Sequence, residues 1–168
     1  DTLASIAGTT ITPGVISASS VVSASLVAGA SGAATATFTT ANSVPADGKF
    51  VVTFPVNFDV ASATVTAITG QTGAAGSGHA INCAGQVCTV TRGAGAGIFT
   101  AGVTTVVFGV VKNPEVSGAT GTFTITTTTN GDAVIDTLAT VPAVTITPLA
   151  ATAATTPAAA YTTVAPTL

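Results

Sequence analysis

Two cysteines, one histidine and a scatter of isolated carboxylates are all that this sequence offers to covalent or acid–base chemistry. Cys83 and Cys88 flank Ala84-Gly85-Gln86-Val87, and Ile81-Asn82 and Thr89-Val90-Thr91 on either side read as two strands of a hairpin. A disulfide across that loop is the natural reading. Closing so short a loop stabilises by about 2 kcal/mol on the chain-entropy account, and the bond implies an oxidising, extracellular compartment. The sharper alternative, a metal held by both thiols with His79, matches no standard zinc spacing. A triad of Ser77, His79 and Asp59 would need a strand-to-helix elbow to present the serine, and none surrounds it. His79 is therefore expected as an exposed loop residue. The glycine stretch before it, Gly73-Ala74-Ala75-Gly76-Ser77-Gly78, lacks the Lys-Ser/Thr ending of a phosphate loop. Asp47, Asp59, Glu115, Asp132 and Asp136 stand apart, with no dense calcium-type loop; Asp47 and Asp132 belong to turns, where Asp supports its own backbone. A calcium ion shared between the loops of adjacent sandwiches is the alternative. The sequence reads as non-enzymatic, with no cofactor and no metal.

The elements around these residues are strands. Apolar residues alternate with threonine, the period-2 signature of half-buried β-structure. Ala34, Ala36 and Phe38 alternate with Thr35, Thr37 and Thr39; Phe50, Val52 and Phe54 share one face; Phe123 and Ile125 sit between Thr122, Thr124 and Thr126. Ala63 to Ile68, Val87 to Thr91, Val103 to Val111, Val134 to Leu138 and Val144 to Thr147 are further candidates. Pro45-Ala46-Asp47-Gly48 suits a type I turn ending in a left-handed glycine, and Asn130-Gly131 suits a type I′ hairpin. Seven to ten such strands build an antiparallel β-sandwich, immunoglobulin-like or jelly-roll-like, with Phe38, Phe50, Phe54, Phe99, Phe108 and Phe123 between two sheets.

Composition excludes several classes. Charged residues are 5% of the 168, with a net charge of −3 and only three Lys and Arg, against about 25% charged in ordinary domains. No basic stripe exists for a phosphate backbone, so no nucleic-acid partner is expected. The longest apolar stretch, Val15 to Ala30, is broken by five serines, so no membrane span is expected either. No charged and apolar leader is visible, and the chain reads as mature from Asp1. No Asn-x-Ser/Thr acceptor occurs, whereas the Ser/Thr-rich surface and the prolines of the tail are compatible with O-linked glycans.

The ends carry the strongest organisational signal. The thirteen residues from Asp1 to Pro13 align with those from Asp136 to Pro148: Asp-Thr-Leu-Ala opens both and Thr-Ile-Thr-Pro closes both, in one register. A phrase recurring at a fixed offset marks a tandem array. Three regions follow: 1–24 as an extended linking segment, 25–148 as the sandwich, and 149–168 as an Ala/Thr/Pro-rich tail. That tail buries too little apolar area to order itself, so a partner's groove or sheet edge is expected to hold it.

Leu26-Val27-Ala28-Gly29-Ala30-Ser31-Gly32, Phe38, the Pro45–Gly48 turn and Phe54-Pro55-Val56-Asn57-Phe58 resemble the first half of a repeat in large cell-surface proteins of algae, protists and some bacteria. Val111-Lys112-Asn113-Pro114-Glu115, Gly121-Thr122-Phe123-Thr124-Ile125, Asn130-Gly131-Asp132 and Asp136 resemble the second half. The resemblance covers most of Val21 to Pro148 and implies a β-sandwich in an extracellular setting.

The expected function is a structural subunit of an extracellular, pilus-like fibril, secreted to the cell surface and partnered by copies of itself through strand exchange. Thr9, Ile11, Val15, Ile16, Val21 and Val22 are the expected linking residues, with Ala150 to Leu168, including Tyr161, as the alternative donor. An adhesin or carbohydrate-binding module is the second reading. Such sites present exposed aromatics, and Tyr161 alone fits that description.

Overall fold

The computed structural model describes residues 12–70, 78–93 and 97–151, and in them the chain is all-β. Its strands are β1 (Gly14–Val15), β2 (Ser17–Ser23), β3 (Ser31–Thr39), β4 (Lys49–Thr53), β5 (Thr64–Thr69), β6 (Ala80–Ala84), β7 (Val87–Thr91), β8 (Val103–Lys112), β9 (Gly118–Ala119), β10 (Phe123–Thr128), β11 (Val134–Val141) and β12 (Thr145–Ile146). The alternation read from the sequence sets their faces. Ala34, Ala36 and Phe38 of β3, Phe50 and Val52 of β4 and Phe123 and Ile125 of β10 are buried, while the threonines between them are only partly covered. Those threonines interact across strands: the hydroxyls of Thr37 and Thr105 lie 3.3 Å apart, and those of Thr126 and Thr137 3.2 Å apart. Cross-strand hydroxyl pairs of this kind do on the outer faces what charged pairs do in other sheets.

One sheet runs β1-β11-β10-β4-β7-β6 and the other β2-β3-β8-β5. With the β6–β7 hairpin and the shortest pieces set aside, β2-β3-β8-β5 facing β4-β10-β11 is the ABED and CFG order of an immunoglobulin-type sandwich. The expectation of two antiparallel sheets needs two amendments. β1 pairs with β11 in parallel, Gly14 opposite Asp136, and β12 with β9 forms a separate two-stranded ribbon. Residues 14–23 are paired within this chain's own sheets, so the described sandwich begins at β1 and not at residue 25. Their alternation is resident: Ile16 and Val21 point into the core while Val15 and Val22 are exposed.

All seven phenylalanines are buried, including Phe58, which lies outside any alternating run. They form two groups. Phe50 packs edge-on against Phe38 and Phe99 towards one end, and Phe54 contacts Phe58, Phe108 and Phe123 towards the other, with centroids 5.4–5.9 Å apart throughout. Each group has the edge-to-face or tilted geometry that ring quadrupoles favour.

Two turns differ from the expected chemistry. Gly48 N–H donates to Pro45 O at 3.0 Å, closing the turn, but Gly48 is not left-handed. Glycine is required there by crowding, since a Cβ would sit 2.5 Å from Val44 Cγ1 and 2.9 Å from Thr128 O. In the β10–β11 hairpin neither Asn130 nor Gly131 has positive φ. The left-handed residue is Asp132, at φ 65°, with hydrogen bonds from Asp132 N to Thr129 O and from Thr129 N to Ala133 O. This is the longer hairpin loop, a turn followed by one left-handed residue, and Asp tolerates that position.

Candidate functional site: the two poles of the sandwich

The strand directions give the sandwich two ends with different tasks. The chain enters at Gly14, beside the start of β11, the Pro45–Gly48 turn and the Thr129–Ala133 hairpin; we call this the entry pole. It leaves at Pro148, beside Ala28, Glu115, Val116 and Ser117; this is the exit pole.

At the entry pole two of the buried polar residues are charged, Asp136 and Arg92. Asp136 is fully buried, with Oδ1 accepting from Asn42 Nδ2 at 2.7 Å and Oδ2 from Asn42 N at 3.1 Å. Its own N–H donates to Thr127 Oγ1 at 3.1 Å. Gly14 passes so close that a Cβ there would overlap both Asp136 Oδ1 and Asn42 Nδ2. One carboxylate thus joins β11, the loop after β3 and the strand by which the chain enters. Arg92, 3% exposed, gives the loops their second anchor. Its guanidinium donates to Pro45 O at 2.7 Å, Gly97 O at 2.8 Å and Val44 O at 3.3 Å, and lies 5.4 Å from the Phe99 ring centroid. Arginine suits this place because its planar fork satisfies several carbonyls at once while stacking on an aromatic face. On the surface Lys49 Nζ meets Asp132 Oδ1 at 2.7 Å.

The exit pole uses a neutral amide. Asn113, 2% exposed, donates from Nδ2 to Ser25 O at 2.7 Å and Val27 O at 2.9 Å. Thr147 N donates to Leu26 O at 2.6 Å, and Ala28 N to Thr147 O at 2.9 Å, while Ile146 is buried. Beyond this belt the surface opens into two clefts of about 140 and 410 Å³ that share Val116 and Ser117. Val56 and Val116 stand more than 70% exposed beside them.

Cys83 and Cys88 form the expected disulfide across the β6–β7 hairpin, where Gly85, at φ 58°, turns the chain. His79 is half-buried and not the exposed loop residue expected. Burial of the ring, and then the nearby Arg92 charge, hold its pKa below the usual histidine value. Ser77 lies outside the described residues. Asp59 is bridged to Lys112 near the exit pole while His79 precedes β6 near the entry pole, so the structure does not bring these two together. Among the described residues no three His, Cys, Asp or Glu side chains gather into a metal-binding group.

Compared with protein-family models, curated proteins and solved structures, the chain matches none. Of the linking residues expected from the sequence, Ile16 and Val21 belong to the core, Val15 and Val22 are exposed on β1 and β2, and Thr9, Ile11 and Tyr161 lie outside the described residues. Among the described residues no helix is long and apolar enough to cross a membrane. Sequence reasoning missed Asn42, Arg92 and Asn113. Arg92 and Asn113 carried a signal, because a lone arginine beside a core strand and an Asn-Pro at a strand end are both positions where a buried donor can cap loop carbonyls.

Proposed function

We propose that this chain is a structural unit of an extracellular filament, linked head to tail with copies of itself by the thirteen-residue phrase that occurs at both ends of the unit. The observation that carries this reading is the setting of the second copy of the phrase. Asp136 is the buried carboxylate of the entry pole, Leu138 packs against the core, Ile146 is buried and Thr147 is bonded through both its N–H and its C=O, to Leu26 and Ala28. Asp1, Leu3, Ile11 and Thr12 repeat those four residue types in register. A segment with the same residues at the same spacing is fitted to take that place in another copy by exchange with the resident strand, and head-to-tail contacts of that kind propagate without closing.

The remaining features agree with this reading. The disulfide suits an oxidising compartment, the phrases resembling cell-surface repeats suit an extracellular setting, and a threonine-rich surface with few charges suits O-linked glycans. An adhesin or carbohydrate-binding role is less favoured, because every phenylalanine is buried and no aromatic lines either cleft.

The test is negative-stain electron microscopy of the full chain beside a variant lacking residues 1–12, a deletion that stops short of β1 and spares the sandwich. Filaments from the full chain and monomers from the variant are expected. Filaments from both would move the linking role to Ala150–Leu168, and monomers from both would favour the binding-module reading.

A further inference from the structure

The geometry points to a defined interface between successive copies: the exposed valines of the exit pole, Val56 and Val116, pack on the entry pole of the next copy across a joint one residue long. This rests on the head-to-tail reading above and adds to it the surfaces that meet. Thr147 is the last residue fixed by the exit pole, through its bonds with Leu26 and Ala28. In the recurring phrase Thr147-Pro148 corresponds to Thr12-Pro13, so on strand exchange Thr12 of the next copy takes the place of Thr147, and the residue after Pro13, Gly14, sits at the Asp136 position of its own copy's entry pole. A single proline therefore separates a residue held by one sandwich from a residue held by the next. Two Cα–Cα steps span at most about 7 Å, and the ring fixes φ of the residue between them. Poles joined on so short and stiff a tether are in contact.

The surfaces brought together are the ones left apolar. Val56 and Val116 border the exit-pole clefts, and at the entry pole Ile98 and Val134 are exposed, Val134 two residues before Asp136. Because the two poles differ, the contact is heterologous, which generates an open filament. The ten residues of β8 run the length of the sandwich, about 33 Å at the usual strand rise, so with the polar loops added the repeat along the filament is roughly 40 Å.

Two measurements on the assembled full-length chain test the interface. In Val116→Cys labelled with benzophenone maleimide, irradiation is expected to join the label to another copy within residues 41–48, 97–103 or 129–134. In a Val56→Asp, Val116→Asp variant, pelleted polymer is expected to fall roughly tenfold or more, since each carboxylate would be desolvated without a partner, while the melting temperature stays that of the parent. Cross-links confined to sheet faces or to a second exit pole, or undiminished polymer from the double variant, would overturn the interface and leave the head-to-tail reading standing. An unmodified chain that stays monomeric at every concentration would overturn both.

Discussion

The two poles do the same job, tying loops and chain ends onto the sandwich, with different chemistry. The entry pole spends a carboxylate and a guanidinium, each surrounded by fixed partners: Asp136 by the two N–H groups of Asn42, Arg92 by three carbonyls and a ring. The exit pole relies on one amide, Asn113, and on the four-ring group around Phe54. Charged groups tie loops strongly but leave a buried charge behind when a partner is removed, whereas ring packing is lost by volume. The entry pole is closed by polar pins, and the exit pole is solid inside with apolar side chains standing outside.

Truncations separate these two kinds of support. Phe54→Ala, which removes a ring in contact with three others, is expected to cost about 3–5 kcal/mol of unfolding free energy, the largest effect here. Asp136→Ala empties a buried position and leaves the two donors of the exposed Asn42 to water, and is expected to cost about 1–3 kcal/mol. Gly48→Ala pushes a methyl against Val44 and the Thr128 carbonyl and should cost about 1–3 kcal/mol. Urea denaturation of each variant against the parent reads all three. An Asp136→Ala variant as stable as the parent would show that the entry pole does not depend on its carboxylate. Val116→Ser, on the outside of the exit pole, should change stability by no more than about 0.5 kcal/mol, and a larger loss would mean that this side chain supports the fold.

The strands and the core were legible in the sequence because side chains alternate across a strand whatever the tertiary context. Phe58 was not, since Phe54-Pro55-Val56-Asn57-Phe58 breaks the alternation and the ring turns inward only after Asn57 takes φ 75°. The alternation around Val15–Ile16 and Val21–Val22 was visible too, but a strand that completes its own sandwich and one that completes a neighbour's carry the same pattern, so the pattern alone does not say whose sheet it joins. The tie between Asp136 and Asn42 spans 94 residues and exists only because the topology lays β11 beside the loop after β3. Asn130-Gly131 suggested the tightest hairpin, yet the left-handed residue fell on Asp132, because the loop that joins β10 to β11 is longer than a two-residue turn.

The finest probe of the entry pole is pH. His79 precedes β6, and ring burial first and the Arg92 charge second both disfavour its protonated form in the folded chain. With the folded pKa below the unfolded value, the unfolded chain binds the proton first as pH falls. Stability is therefore unaffected above the unfolded histidine pKa, about 6.5, declines as pH drops below it, and stops declining once pH is below the folded pKa. The ring is half-buried, so solvent screens much of the Arg92 repulsion and the effect is the smallest of those expected. Comparison with His79→Gln removes every contribution other than that of the imidazole. The parent should lose more melting temperature than His79→Gln between pH 7.5 and pH 5. Equal losses would mean that neither the covering of the ring nor the Arg92 charge, held by three carbonyls and the Phe99 face, disfavours a proton at this edge of the sheet.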